Sequence, residues 1–155
     1  MEQQERERIE GIEGLVGRTP HAYLATLDRD GAPRVKVVTV FRREGWSRFW
    51  FVTQTGRRTT GEIEADSRAS LYFADNVAFE TLLLTGHAEV SRDPAILRTL
   101  WQEGLRSMFP GGVDDPNFSA IAFTATGGKY YRWPCNGEFA LEGQEPQWLN
   151  WVRME

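Results

Sequence analysis

The chain has 155 residues, 41% of them hydrophobic and 26% charged, with a net charge of −4 at neutral pH. That length suffices for one domain with its own core, and no apolar run approaches the roughly 20 residues that a membrane-spanning helix needs. The acidic balance disfavours general nucleic-acid binding; one cysteine, Cys135, excludes an intramolecular disulfide, and two histidines, His21 and His87, suggest no metal centre.

The first residues, MEQQERERIEGIEG, are polar and acidic where a secretory leader would be basic and then apolar, so a cytoplasmic location is expected. Ile9, Ile12 and Val16 recur at helical spacing from Gln3 to about Val16, which predicts a covering helix weakened by Gly11 and Gly14. The runs HAYLATLD and APRVKVVTVF flank Asp30-Gly31 and read as a hairpin, and WSRFWFVT follows after a second turn, placing three antiparallel strands between residues 21 and 53. A short helix is expected over Arg57 to Ala65, then two more strands, RASLYFAD and FETLLLTGHAEVS. In SRDPAILRTLWQEGLRSMF, Asp93 is placed to cap and Pro94 fits the first turn, and Ile96, Leu97, Leu100, Trp101, Leu105 and Met108 form one stripe; this is the clearest helix of the chain. PGGVDDP ends it, FSAIAFTAT alternates as a strand, and Gly127-Gly128 reads as a turn into KYYRW. Six or seven strands at hairpin spacing with few helices predict a mainly β fold, a closed or nearly closed antiparallel barrel with flanking helices, since closure protects strand edges. A sandwich carries the same local signals.

Two stretches carry chemistry. TQTGRRTTGEIEAD, residues 53 to 66, sets Arg57 and Arg58 among hydroxyls where a strand ends and a helix begins, so guanidinium and free backbone N–H donors converge on one point. Phosphate is the obvious guest; a solvated turn with a capping threonine is the plainer reading. In PRVKVVTVF, Arg34, Lys36, Val38 and Val40 share one face and Val35, Val37, Thr39 and Phe41 the other. At about 3.3 Å per residue, Lys36 and Val40 lie roughly 13 Å apart, near the reach of a ligand with a phosphate at one end and a flat ring at the other. A half-exposed strand with basic residues at its start gives the same pattern. His87 reads as an outward strand residue, Asp114-Asp115 as loop chemistry, and the six tryptophans as core rather than a stacking platform for nucleic acid.

Together, GAPRVKVVTV, FVTQTGRRTTGEIEADSRASLYF and LTGHAEV resemble the pyridoxamine-phosphate oxidase-like flavin-binding split barrels, and FPGGVDDP and KYYRW further resemble their general stress protein branch. The resemblance spans most of residues 20 to 133. It implies a single six-stranded antiparallel split-barrel domain over residues 1–155: covering helix at about 3–16, barrel at about 20–133 and an unmatched C-terminal tail at 134–155. It also implies a homodimer with FMN in clefts between the subunits. Residue by residue, Lys36 falls on a phosphate-binding arginine of the oxidases and Arg58 on a matching arginine. Arg57 stands where serine is common, and Thr59 where a phosphate-binding lysine is. Thr53 matches a threonine at the strand end, and Val37, Val38 and Thr39 match the backbone beside the flavin ring. Tyr131 takes the place of a flavin-contacting tryptophan. The oxidases' substrate-binding arginine and histidine have no counterpart in WPCNGEFALEG, so oxidation of pyridoxamine phosphate itself is not expected. A flavin-dependent oxidoreductase of unknown substrate is the leading expectation; a noncatalytic flavin-binding stress protein and a deazaflavin- or haem-binding split barrel are the alternatives.

Overall fold

The computed structural model describes residues 2–155 and contains three α-helices and ten strands, all strands belonging to one curled antiparallel sheet. Strand β1 (His21–Leu27) pairs with β2 (Pro33–Thr39) across the Asp28–Gly31 turn, in which Gly31 has φ +80° and Asp28 Oδ1 accepts from the N–H groups of Asp30 and Ala32. Beyond Thr39 the chain changes partners: Val40 N–H donates to Pro20 O, and Phe41 N–H donates to Trp50 O. Strand β3 (Arg42–Glu44) is thus a continuation of β2 that pairs with β4 (Arg48–Gln54) instead of β1. Strand β5 (Arg68–Asp75) lies on the other side of β1, β6 (Glu80–Ser91) beside β5, and β7 (Phe118–Arg132) beside β6. Because β7 also takes β4 on its far edge, through Phe118–Thr124, the six segments β1, β2–β3, β4, β7, β6 and β5 return on themselves. Inward residues fill the ring, with Leu24, Phe49, Phe51, Leu71, Phe73, Leu84 and Phe123 each at most 1% exposed. Burying side chains of this size stabilises by about 1.5–3 kcal/mol apiece.

Helix α1 (Gln3–Arg18) covers one end of the ring with Ile12, Leu15 and Val16, running two residues beyond the expected end. Helix α2 (Arg58–Ala65) packs Thr60 and Ile63 against the other side. Helix α3 (Pro94–Leu100) starts as the sequence indicates, with Asp93 Oδ1 accepting from Ala95 N–H at 3.0 Å. It stops at Leu100, however, and Glu103–Ser107 forms a separate 3-10 segment. The expected stripe is therefore broken: Leu97 and Leu100 enter a second cluster with Trp50, Phe109 and Phe118, whereas Met108 is exposed. Trp101 adopts an extended backbone at the helix end and packs edge-on against Phe118, and Gly104 lowers helix propensity just beyond.

One further expectation is corrected. Gly127-Gly128 is not a turn; β7 continues through it, after a bulge at Thr126, past the ring to Arg132. A Cβ on Gly128 would stand 2.2 Å from Leu83 O, and one on Gly127 would stand 2.9 Å from Phe139 O. Both glycines therefore serve close strand approach. The segment after Pro134 is also ordered sheet: β8 (Cys135–Glu142) takes the free edge of β7 at Gly127–Arg132, with β9 (Glu145–Trp148) and β10 (Val152–Arg153) beside β8.

Candidate functional site

Strand β2 has one partner, β1, along Pro33–Thr39, and its other edge is unpaired. Such an edge offers backbone N–H and C=O groups to a ligand. The register sets Lys36 opposite Leu24 and Arg34 opposite Thr26, so these cations share the inward side, where α2 lies; Val37, opposite Tyr23, points outward. The two faces are those read from the sequence.

At the start of α2, Arg57 is the N-cap residue, and Gly61 N–H is the donor that reaches Arg57 O at 3.1 Å. The N–H groups of the first helical turn are left for other acceptors. No threonine caps the helix: Thr60 Oγ1 instead donates to Arg57 O at 2.6 Å. Lys36, Arg58 and Thr59 line one cavity of about 160 Å³ together with Thr26, Arg34 and Glu62. It adjoins a groove of about 970 Å³, which shares Arg34, Arg58 and Glu62 and runs along the β1–β2 turn.

Charge in this cavity is mixed. Arg58 Nε donates to Glu62 Oε1 at 3.0 Å, one helical turn away, and Thr26 Oγ1 donates to Glu62 Oε2 at 2.8 Å. The Glu62 carboxylate is nearly buried, while the Arg58 side chain is 65% exposed. Arg57 donates to Gln54 Oε1. Burial, and after it the Arg57 guanidinium, push the Lys36 ammonium below its usual range; Glu62 opposes them. A cation held down by desolvation and by a neighbouring cation gains from an anion in the same cavity. Arg34 is taken up by Asp28 at 3.3 Å, but Lys36 and Arg58, with Arg57 beside Lys36, still outnumber Glu62, so the donor set fits a phosphate group.

Of the other expected site residues, Val38 is buried at the base of the same face and Thr53 is buried in β4, while Val37 and Thr39 are exposed on the outer side. Tyr131 is not brought to this cavity within one chain. It stands on β7, separated from β2 by β6, β5 and β1, in a separate hollow of about 590 Å³ with Tyr72, Phe79 and Thr81. Thr26 and Glu62 escaped the sequence reading of the site. The Arg58–Glu62 spacing of four was a visible signal for one of them; the contact with Thr26 depends on α2 crossing β1. His87 is exposed beside Ser67, as expected. Asp115 anchors its loop by accepting from Gly111 and Asn117 N–H, both at 2.9 Å.

A six-segment antiparallel ring with an unpaired β2 edge and a helix start beside it defines a split barrel. The chain belongs to the pyridoxamine 5'-phosphate oxidase like family, which matches residues 7–142. A Clostridium acetobutylicum protein related to general stress protein 26 of B. subtilis is 32% identical, over 88% of this chain and 96% of that one, with a TM-score of 0.78. At the level of fold alone, a pyridoxamine 5'-phosphate oxidase-related, FMN binding protein from Nostoc punctiforme superposes over 99% of this chain and 96% of its own, at 12% identity and TM-score 0.65. A heme binding protein from Mycobacterium smegmatis does so over 86% of this chain and 57% of its own, at 18% identity and TM-score 0.67. No curated protein matches. None of the helices is long and apolar enough to cross a membrane, among the described residues.

Proposed function

We propose that the protein is an FMN-binding, flavin-dependent oxidoreductase that works as a homodimer in the cytoplasm, its substrate open. The observation that carries this reading is the convergence of Lys36, Arg58 and the start of α2 on one cavity beside the unpaired edge of β2. Lys36, Arg57, Arg58 and the first-turn N–H groups of α2 hold the phosphate, with Thr59 at the rim. Backbone groups of Val37, Val38 and Thr39 orient the ring, Thr53 supports the strand end, and Tyr131 of one subunit closes the cleft of the other. When bound, the flavin supplies the hydride or electron chemistry, and the protein supplies position and charge.

Arg58→Ala should weaken FMN binding roughly 10- to 150-fold while leaving riboflavin nearly unaffected, since a charge-assisted phosphate contact is worth about 1.5–3 kcal/mol. Lys36→Ala should show the same phosphate-selective loss. Calorimetric titration with both ligands measures it, and equal loss for FMN and riboflavin would remove the phosphate assignment. The absorption spectrum of the purified protein separates flavin from deazaflavin and haem. Turnover of an added reductant separates an enzyme from a carrier.

A further inference from the structure

The α1 side of the sheet holds a second cavity, of about 480 Å³, between the first turns of α1, the end of β7 and β10. Its walls include Arg8, Arg132, Arg153, Trp133, Trp151 and Cys135. Register explains the grouping. Cys135 pairs with Arg132 on one side and with Arg153 on the other, so the three side chains stand abreast on one face. Alternation along β7 puts that face with Tyr130, which also lines the cavity, and away from the side on which Tyr131 stands.

Three arginines line this cavity with one carboxylate, Glu7; Glu80 stands across from Arg132 on β6 but is held by the Tyr130 hydroxyl and Arg18. None of the three joins an ion pair among the described residues. Arg8 lies over Trp148 and Trp151, at 5.1 and 4.5 Å from the ring centroids, and its Nε is buried without a hydrogen-bond partner. Trp151 in turn stacks on Tyr130, with 23° between the ring planes, so the aromatic wall is fixed. Trp133 stands at the rim, 61% exposed, with its ring open to a ligand. Like charges gathered in excess of their counter-ions repel, and the planar arginine fork matches a carboxylate or phosphate. The volume suits a small ligand.

We propose that this cavity is a second ligand site, which takes a small aromatic oxyanion. The carboxylate or phosphate group meets Arg132 and Arg153, and the ring lies against Trp133 and Trp151. The site stands apart from the phosphate cavity beside β2 and does not depend on the flavin reading.

Cys135 is the only thiol of the chain, so its alkylation by iodoacetamide, followed by intact mass, reports on this cavity alone. 2-Naphthoate or 2-naphthyl phosphate should slow the reaction, and the better of the two identifies the head group. The neutral 2-naphthalenemethanol should protect at least about tenfold more weakly, and the Arg132→Gln/Arg153→Gln double variant should shift the midpoint of anion protection by a similar factor or more. Equal protection by the neutral alcohol in the wild-type protein, or no protection by either anion, would overturn the proposal without reference to any variant. A double variant of unchanged thermal midpoint that keeps wild-type protection would overturn it as well.

Discussion

Tyr130 shows how one residue ties three elements together. Its ring is fully buried in β7, and its hydroxyl donates to Glu80 Oε1 at the start of β6. Arg18, at the end of α1, donates to Glu80 Oε2 through Nη2 and to Asp75 Oδ2 through Nε at 2.9 Å. Burial, and then the bond to Glu80, push the tyrosine hydroxyl well above its usual range, so it stays a donor at any working pH. Tyr130→Phe leaves a buried carboxylate oxygen short of a donor, and a loss of about 1–3 kcal/mol is expected. Denaturant unfolding should show a lower midpoint at unchanged slope. Gly11 belongs to the same arrangement: a Cβ there would stand 2.3 Å from the Tyr130 hydroxyl oxygen. From the sequence Gly11 reads as a weakness of the helix; in the fold it is the clearance for a tyrosine more than a hundred residues away.

At the scale of the element, β7 is the longest strand, and its two halves serve different neighbours. The first half closes the ring against β4; the second carries β8 and the C-terminal strands. Gly128 lets β7 pass between Leu83 O and the Phe139 ring, to which its Cβ would stand 2.9 Å. Gly128→Ala is therefore expected to lower stability by about 1–3 kcal/mol, as overpacking does. Loss of hydrogen-exchange protection should concentrate in β8 and β9 if the C-terminal strands open first. A thermal midpoint and exchange pattern equal to those of the wild type would contradict this account. Helix α3 gives the converse lesson. Its stripe holds through Leu100, where Trp101, half-buried, leaves the helix, packs edge-on against Phe118 and donates from Nε1 to Glu103.

Across the whole molecule, the outer face of β2, β1 and β5 is the feature without an explanation inside one chain. Val37, Tyr23, Tyr72 and Leu83 follow one another directly across four strands. Val37 is 61% exposed and Tyr23 47%, with Val35 at 65% on the same face. An apolar row of this kind, left open in one chain, is the expected mark of a contact surface. In the proposed homodimer a second copy covers this row. Sedimentation should accordingly give a dimer at micromolar concentration, with an interface of more than about 2,000 Å² in total. Val37→Glu should dissociate it and weaken FMN binding with it. A monomer that retains full FMN affinity would remove the shared-site proposal.

Much of this was determined by the sequence alone. Alternation along HAYLATLD and PRVKVVTV, the Asp30-Gly31 turn and the two cations after Gly56 depend on neighbours a few residues away, and the hairpin, the two faces of β2 and the start of α2 follow from them. Tertiary structure alone decided which partners those elements meet. It turned Gly127-Gly128 from a turn into a strand, because the crowding atoms belong to Leu83 and Phe139. It also placed Glu62 against Thr26 and Lys36, and set Arg132, Cys135 and Arg153 abreast. Contacts between distant segments are set by packing across the whole sheet, and periodicity in one segment carries no record of them.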